Sequence, residues 1–268
     1  MLRSTILKAA AIVAAGVFAL TACGSGPDSS SAADTIKVGA LAVPAGDMLK
    51  HVSKELAPKE GLSVDYKEFS DYNTPNAALS DGDIDANLFQ NTTFMETYNK
   101  ASGKDLVSVG RVYLPPMALY SNDIPTLGEL PEGASIAIPN DPTNEGRALL
   151  LLASKGLIEV KENPITLKDI TANPKNFKFT EIENASLPQA LNDKDAAIVT
   201  LAFALPAGLS SDKQLLVEGE DSPFYNVLAV RADMKDDPRV QQLFKILTSQ
   251  DMKDFLKTEF KGLVIPAS

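Results

Sequence analysis

The sequence predicts an α/β fold of two similar lobes with a cleft between them, and three observations point to it. From residue 35 onward, apolar strand patterns alternate with amphipathic helix patterns, which is typical of sheets covered by helices. The alternation stops at PPMALYS and starts again after Ser121. The two halves also share a sequence pattern, because PNAALSDGDIDANLF and LPQALNDKDAAIVTLAF both run from proline through a short helix into an apolar strand. A cleft between two such lobes is the usual place for a small ligand.

The first half begins with the strand TIKVGAL, followed by a helix whose apolar side chains share one face. The next stretch, LSVDYKEF, alternates apolar and polar residues as a half-buried strand does. The predicted strands cover residues 35–41, 62–69, 83–89 and 106–114, and the predicted helices cover residues 46–57, 75–82 and 92–103. Because alternating strands and helices build parallel pairings, we expect a mostly parallel sheet.

The second half repeats the alternation and then returns to the first lobe. Its predicted strands cover residues 135–139, 177–182, 196–200 and 226–231, and its predicted helices cover residues 145–156, 187–193, 237–249 and 250–260. The last two helices have no predicted strand after them, so we expect them to pack on the first lobe. The predicted boundaries are residues 35–120 plus 227–268 for lobe 1 and residues 121–226 for lobe 2.

The first 22 residues predict a signal peptide rather than part of the fold. Arg3 and Lys8 give a positive start, and AAAIVAAGVFAL is too short to span a bilayer as a helix of about 20 residues. LTAC, ending at Cys23, resembles the bacterial lipobox, which implies cleavage before Cys23 and attachment of diacylglycerol to its thiol. The alternative is an ordinary cleavage site with an incidental cysteine. Residues 23–34 then predict a lipidated cysteine and a flexible tether, on the extracytoplasmic face of the cell membrane.

The charge balance argues against nucleic acid and anionic lipid headgroups as partners. The full chain carries 25 basic and 35 acidic residues, and loss of Arg3 and Lys8 with the signal peptide leaves 23 basic residues and a net charge of −12. An acidic surface of this kind repels both. Cys23 is the single cysteine, so disulfides and cysteine nucleophiles are excluded.

No catalytic motif stands out, and we expect a protein that is not an enzyme. The single histidine, His51, lies outside the apolar face of its predicted helix and is interpreted as a solvated surface residue. Nucleophile-elbow, zinc-protease, P-loop and dinucleotide motifs are missing from the sequence, and one histidine cannot build a histidine-rich metal site. DGDID resembles a calcium loop, but Ala86 and Thr92 replace the glycine and glutamate that such a loop needs. We therefore expect no cofactor and no metal.

The stretch IPNDPTNEGRALLLL, residues 138–152, places an arginine near a helix start, where the helix dipole disfavours a cation. Thr143 or Asn144 can act as the N-cap, which would leave backbone N–H groups of the first turn free to bind an anion. Arg147 adds a planar guanidinium fork that matches a carboxylate. A bound carboxylate would therefore offset the unfavourable interaction between Arg147 and the positive end of the helix dipole. The alternative is an exposed Arg147 paired with Glu145 or with solvent.

Six stretches of the mature chain resemble the methionine-binding lipoprotein family: TIKVG, FSDYNTPNAALSDGDIDANLFQ, PNDPTNEGRALLLL, GLI, NPKNFK and SPFYNVLAVR. The resemblance covers nearly the whole mature chain. It implies the two-lobed periplasmic-binding-protein fold with a ligand in the cleft between the lobes. It also implies a lipid-anchored protein that delivers methionine, or a related amino acid, to an ABC permease and its ATPase.

The resemblance also implies a set of ligand-binding residues. It assigns Arg147 and Asn144 to the carboxylate end of the ligand, and Asn226 to its α-amino and carboxylate groups. Phe89 and Tyr72 become apolar walls for the ligand side chain. A methionine side chain needs such a dry aromatic pocket, because contacts of sulfur with aromatic rings are worth roughly 0.3–1.5 kcal/mol.

The sequence departs from the family pattern at several positions of the expected pocket. Asn91 stands where the family commonly has histidine, Phe94 where it has tyrosine, Thr200 where it has asparagine and Pro115 where an aromatic residue is common. We expect Asn91, Phe94 and Thr200 to remain part of the ligand site, with Met117 as a further apolar wall. The departures leave open a different apolar or sulfur-containing amino acid, a small peptide, or a surface interaction or adhesin lipoprotein that keeps the fold without cargo.

Overall fold

The computed structural model describes residues 35–268. The predicted signal peptide of residues 1–22, the lipidation site Cys23 and the tether that follows it lie outside the described residues. Among residues 35–268, no helix combines the length and the apolar character that crossing a bilayer requires.

The described chain forms two main sheets and a small two-stranded one. The strands are β1 (Thr35–Leu41), β2 (Ser63–Phe69), β3 (Ala86–Asn87), β4 (Val107–Leu114), β5 (Met117–Tyr120), β6 (Ser135–Pro139), β7 (Glu159–Val160), β8 (Ile170–Ala172), β9 (Lys178–Ile182), β10 (Ala196–Thr200), β11 (Gln214–Val217), β12 (Asn226–Val230) and β13 (Ile265–Pro266). The sheet of lobe 1 has the order β13-β4-β12-β3-β1-β2, and the sheet of lobe 2 has the order β11-β5-β10-β6-β9. All eight predicted strands are present, although β3 is shorter than its apolar pattern.

The helices lie between these strands as the alternating pattern predicts. They are α1 (Asp47–His51), α2 (Pro75–Ser80), α3 (Thr92–Ser102), α4 (Pro142–Ala153), α5 (Leu187–Ala190), α6 (Leu201–Ala204), α7 (Pro238–Leu247) and α8 (Gln250–Glu259). Helical turns continue from α1 through Val52–Leu56 and Ala57–Glu60, and Gly61 ends them with a φ of +74°. Glycine adopts this left-handed conformation without the strain that a Cβ atom would add.

The C-terminal helices pack on lobe 1, which confirms the prediction. Val240 and Leu243 of α7 and Met252 of α8 are fully buried in the same apolar core as Ile36 of β1. The ring of His51 stacks on Phe255 of α8 at a centroid distance of 4.1 Å. The interpretation of His51 as a solvated surface residue holds in part, because the imidazole is half-buried and packs between α1 and α8.

The expectation of a mostly parallel sheet is also wrong, because both sheets are mixed. In lobe 1, β1 pairs parallel with β2 and β3, whereas the other pairings are antiparallel. In lobe 2, β6 pairs parallel with β9 and β10, whereas β5 pairs antiparallel with β10 and β11. The strands next to the inter-lobe crossings enter their sheets without a crossover helix, and a parallel pairing requires such a connection.

The first crossing between the lobes lies at Pro115 and Pro116, between β4 of one sheet and β5 of the other. The predicted boundary at Tyr120 is therefore displaced, because β5 belongs to lobe 2. The second crossing precedes β12, which returns the chain to lobe 1 at Asn226. Apolar periodicity alone does not reveal to which sheet a four-residue buried strand belongs.

The parallel strands of each lobe direct their carboxyl ends toward one edge of their sheet, where ligands of α/β proteins usually bind. In lobe 2, β6 ends at Pro139 and leads into α4, and β10 ends at Thr200 and leads into α6. The chain segments that follow these strands supply the side chains of the candidate site.

Candidate ligand-binding site

Residues from both lobes line one small cavity. Its lining residues are Tyr72, Phe89, Gln90, Asn91, Phe94, Pro115, Asn144, Arg147 and Asn226. Of the eight predicted ligand-binding residues, only Thr200 is missing from this lining. The structure thus brings the predicted set together, while the binding of a ligand by these residues stays a prediction.

Aromatic rings form one wall of the cavity. The ring of Tyr72 lies 5.8 Å from that of Phe89 and 5.9 Å from that of Phe94, measured between centroids. Phe203 of α6 packs edge-on against Tyr72 at 4.9 Å and supports this wall from the other lobe. Sequence reasoning missed Phe203, because its apolar segment gives no sign that it faces another lobe.

Thr200 acts on the cavity through Tyr72. The two hydroxyl groups lie 3.1 Å apart and form a buried hydrogen bond that joins the lobes. Burial raises the pKa of Tyr72 to about 12, so its hydroxyl stays protonated at neutral pH. Met117, expected as a further apolar wall, is fully buried in the core of lobe 2 instead. Side chains of a strand alternate between its two faces, so a one-residue shift in where the strand starts exchanges the faces. The sequence does not define the start of this short strand, and it therefore does not tell which face Met117 is on.

The start of α4 differs from the prediction. Asp141, rather than Thr143 or Asn144, is the N-cap, and its carboxylate accepts the backbone N–H of Asn144 at 2.9 Å. Pro142 carries no N–H, and the backbone N–H of Glu145 donates to the carbonyl of Asp141. The expected anion site of free backbone amides is therefore largely filled by the protein itself.

Arg147 lies in the second turn of α4 and is 3% exposed. Its Nε donates to Oε1 of Glu218 at 2.8 Å, and its Nη2 donates to Oε2 of Glu218 and to the carbonyl of Pro115. The guanidinium also lies 5.0 Å from the ring centroid of Phe224. The alternative of an exposed Arg147 paired with Glu145 or solvent is thus wrong.

Glu218 was missed by sequence reasoning, because it stands in the acidic run VEGED and no local pattern distinguishes it from its neighbours. Its two carboxylate oxygens hold one edge of the Arg147 fork. Arg147 lines the cavity, and within residues 35–268 its Nη1 forms no hydrogen bond. This arrangement leaves one donor edge of a fixed cation unused.

The three asparagines of the cavity each use one end of the side-chain amide inside the protein. Oδ1 of Asn91 caps α3 by accepting the N–H of Phe94 at 3.0 Å. Nδ2 of Asn226 donates to the hydroxyl of Tyr113 at 3.1 Å, and Nδ2 of Asn144 donates to Asp141 at 3.0 Å. In the described part of the chain, Nδ2 of Asn91 and the Oδ1 atoms of Asn144 and Asn226 form no hydrogen bond. The cavity therefore offers unused donors and unused acceptors together.

Glu145 of α4 does not line the cavity. It is 2% exposed, and its Oε1 accepts the backbone N–H of Leu167 at 2.6 Å. Burial, together with the nearby carboxyls of Glu181 and Asp141, raises the pKa of Glu145 to about 7. A buried carboxyl that keeps its proton near neutrality avoids the desolvation cost of a negative charge.

We expect Glu145→Gln to reduce the pH dependence of folding stability. Because the pKa rises from 4.5 to about 7 on folding, the contribution of Glu145 is complete below pH 4.5 and is lost as the pH increases through 7. Allowing for solvent screening, this loss amounts to roughly 1–2 kcal/mol. Glutamine can still accept from Leu167 and has no proton to lose.

Denaturant unfolding at pH 5 and pH 8 measures the difference. Wild type should lose more unfolding free energy between these pH values than the variant does. Glu96→Gln, at an exposed position of α3, serves as the control and should behave as wild type. Equal losses in wild type and Glu145→Gln would contradict the expectation.

The fold and the cavity agree with a comparison to known proteins. A family model described as NlpA lipoprotein matches residues 36–268. The chain belongs to the NlpA lipoprotein family. The predicted resemblance to methionine-binding lipoproteins and the predicted two-lobed fold are thereby confirmed.

Relatives of this NlpA-family chain span nearly its full length. The D-methionine-binding lipoprotein MetQ of Yersinia pestis is 40% identical over 262 residues, which cover 95% of this chain and 96% of the relative. The structure of an ABC transporter periplasmic substrate-binding protein from Coxiella burnetii is 43% identical with a TM-score of 0.83, covering 87% of this chain and 100% of that chain. A nutrient binding protein from Burkholderia cenocepacia bound to methionine is 42% identical with a TM-score of 0.83 and the same coverage.

Proposed function

We propose that this chain is the extracytoplasmic substrate-binding protein of an ABC importer and that its inter-lobe cavity binds methionine or a related amino acid. The observation that carries the proposal is the combination of unused donors and unused acceptors in one small cavity beside aromatic rings. The relatives support it, since one is named a D-methionine-binding lipoprotein and another was solved bound to methionine. These relatives are binding proteins, in agreement with the prediction that the chain is not an enzyme.

The polar groups fit the two charged ends of an amino acid. A carboxylate can only accept hydrogen bonds, and an ammonium can only donate them. Nη1 of Arg147 and Nδ2 of Asn91 can donate to the carboxylate, while Oδ1 of Asn226 can accept from the ammonium. A buried zwitterion needs both kinds of partner, because each charge loses its hydration on binding.

The apolar wall fits an amino acid with a soft side chain. Tyr72, Phe89 and Phe94 offer ring edges and faces to an aliphatic or thioether side chain, and such contacts favour sulfur.

The polar residues that depart from the family pattern, Asn91 and Thr200, still have polar roles at or beside the cavity. Asn91 lines the cavity, and its Nδ2 forms no hydrogen bond within residues 35–268. Thr200 holds Tyr72 across the two lobes. The adhesin alternative rested on these departures, and no observation favours it. We further propose that Cys23 carries the lipid anchor at the extracytoplasmic face of the membrane and that an ABC permease with its ATPase receives the ligand.

Thermal unfolding of the lipid-free mature protein with L-methionine, D-methionine and the other amino acids tests the proposal. A ligand at 100 times its Kd stabilises the folded state by about 2.7 kcal/mol. For a chain of this length we expect the melting temperature to rise by roughly 5–10 °C. Methioninol, which lacks the carboxylate, is the matched control and should have a smaller effect. No rise with any amino acid would overturn the proposal.

A further inference from the structure

We propose that Asn76 is a positioning residue for the aromatic wall of the cavity. Through a buried network of side-chain amides, Asn76 fixes the bend of the chain that carries Phe89, and the network thereby sets the affinity of the cavity for the side chain of the ligand. This inference rests on the proposed function and names a determinant of side-chain selectivity at the same cavity. Asn76 itself does not line the cavity.

Three buried amides form the network: Asn76 at the start of α2, Asn87 at the end of β3, and Gln90 in the segment that follows β3. Nδ2 of Asn76 donates to Oε1 of Gln90 at 2.7 Å, and Nε2 of Gln90 donates back to Oδ1 of Asn76 at 2.5 Å. Asn87 joins this reciprocal pair, because its Nδ2 donates to Oδ1 of Asn76 at 2.9 Å and its Oδ1 accepts Nε2 of Gln90 at 3.0 Å. Each amide therefore uses both its NH₂ group and its oxygen inside the network.

A closed network of this kind resists displacement of any one member. Turning one of the three amides by 180° would place oxygen against oxygen and NH₂ against NH₂ at its neighbours. Burial leaves no water to replace the lost hydrogen bonds, so a partly broken network is more costly than an exposed one. The network therefore ties the start of α2 firmly to the segment after β3.

Phe89 depends on this tie, because it lies at a bend outside regular secondary structure, between β3 and α3. β3 has only two residues and supplies a short ladder before the bend. On either side of Phe89, the backbone N–H of Leu88 donates to the carbonyl of Gly39, and the backbone N–H of Val227 donates to the carbonyl of Gln90, both at 2.9 Å. The side chain of Gln90 adds the link to α2, directly beside the ring that lines the cavity.

The other end of the network leads to Tyr72. Asp71 accepts the backbone N–H of Thr74 at 2.8 Å and closes the turn that carries Tyr72 into α2. The rings of Tyr72 and Phe89 lie 5.8 Å apart, measured between centroids. The amide network joins the two chain segments that carry these rings, so it holds the spacing of the wall. Residues that contact a ligand are effective only when the groups behind them lock their positions.

The test is Asn76→Ala, compared with wild type for L-methionine and L-2-aminobutyrate. The two ligands carry the same α-amino and carboxylate groups, but L-2-aminobutyrate lacks the thioether end of the side chain. Alanine removes the donor to Oε1 of Gln90 and the acceptor for Asn87, which unties the bend at Phe89 from α2. Isothermal titration of the mature lipoprotein in detergent, with displacement for the weaker ligand, measures both dissociation constants. We expect the Kd of L-methionine to rise at least fivefold and the Kd of L-2-aminobutyrate to stay within twofold.

A double-mutant cycle with Phe89→Ala shows whether Asn76 acts through this ring. In the Phe89→Ala background, Asn76→Ala should change the Kd of L-methionine less than twofold, because the ring to be positioned is gone. A merely structural role would weaken both ligands equally and would give the same loss in both backgrounds.

Asn173→Ala is the matched control. The side chain of Asn173 also forms a reciprocal pair, since its Nδ2 donates to the carbonyl of Phe177 and its Oδ1 accepts the N–H of Phe177. This pair lies in lobe 2 and does not line the cavity. The control should unfold more easily than wild type and bind both ligands with unchanged dissociation constants.

A second variant keeps the inference testable if Asn76→Ala does not fold. Asn87→Ala removes one member and leaves the reciprocal pair of Asn76 and Gln90, so it should weaken L-methionine about threefold without weakening L-2-aminobutyrate. If a folded variant binds L-methionine as wild type does, or weakens both ligands equally, the inference is overturned and the proposed function stands. If wild type itself does not bind L-methionine or another amino acid, the proposed function fails and the inference fails with it.

Discussion

Replacing Arg147 by alanine should lower the affinity for L-methionine roughly ten- to hundredfold. The variant loses Nη1, which we propose donates to the ligand carboxylate. A charge-assisted hydrogen bond contributes about 1.5–3 kcal/mol, at about 1.4 kcal/mol per factor of ten in Kd. Methioninol, without a carboxylate, should lose little affinity. Isothermal titration with both ligands measures the effect.

The same substitution should also destabilise the protein without ligand. Arg147 and Glu218 are 3% and 9% exposed, so alanine leaves a buried carboxylate without its cation. Removing one partner of a buried ion pair costs roughly 3–5 kcal/mol. Arg147→Lys should recover part of this stability but little of the affinity, since an ammonium cannot hold Glu218 and the ligand with one planar fork.

Arg231→Ala separates stability from binding. Arg231 donates from Nη1 to the carbonyls of Leu79 and Ile84 in lobe 1 and does not line the cavity. We expect this control to lower the unfolding free energy while the Kd of L-methionine stays unchanged. If Arg147→Ala and Arg147→Lys bind L-methionine as wild type does, Arg147 is a structural residue and its assignment to the ligand is wrong.

Cys23→Ser should release the protein from membranes almost completely. Cys23 lies outside the described residues, and the prediction rests on the lipobox-like sequence LTAC before a polar tether. Each CH₂ buried in the bilayer contributes about 0.8 kcal/mol, so two or three acyl chains account for stable anchoring. Without them, the acidic mature chain has no attraction to anionic headgroups.

Membrane fractionation and mass spectrometry of the mature N-terminus measure this result. Wild type should sediment with membranes and carry a lipid on Cys23, whereas the variant should be found in the soluble fraction. Ser25→Ala, two residues further along the tether, is the control and should remain membrane-bound. Tight membrane association of Cys23→Ser would contradict the lipid anchor, and it would leave the ligand site of residues 35–268 unaffected.

Local sequence patterns were sufficient for most elements of the fold. The strand β1 and the helix α3 were predicted within one residue, because apolar periodicity and a terminal glycine, Gly103 at φ +69°, mark them clearly. Very short strands such as β7, β8 and β13 were missed, because two or three residues carry no period. The predicted boundary at Tyr120 assigns the residues of β5 to lobe 1, whereas this strand pairs with β10 and β11 of lobe 2. Which sheet a buried strand joins depends on pairing partners far away in the chain.

In the candidate site, too, some residues were predictable from the sequence and others were not. Seven of the eight predicted residues line one cavity, because the resemblance of PNDPTNEGR and SPFYN to a known family preserves their positions. The residues that fix those side chains were not found from the sequence. Glu218, for example, lies 71 positions from Arg147. Contacts of this kind form only when the two segments fold onto the same edge of the lobe 2 sheet.

The sequence by itself determined the α/β class, the two lobes and the identity of most cavity residues, because these follow from periodicity and from motifs that are local in the chain. Tertiary structure decided which groups of each polar side chain form hydrogen bonds inside the protein. The amides of Asn91, Asn144 and Asn226 each have one donor end and one acceptor end, and the sequence is the same for both orientations. Burial removes water as an alternative partner, so the neighbours brought in by folding select which hydrogen-bonding groups of these amides are used inside the protein.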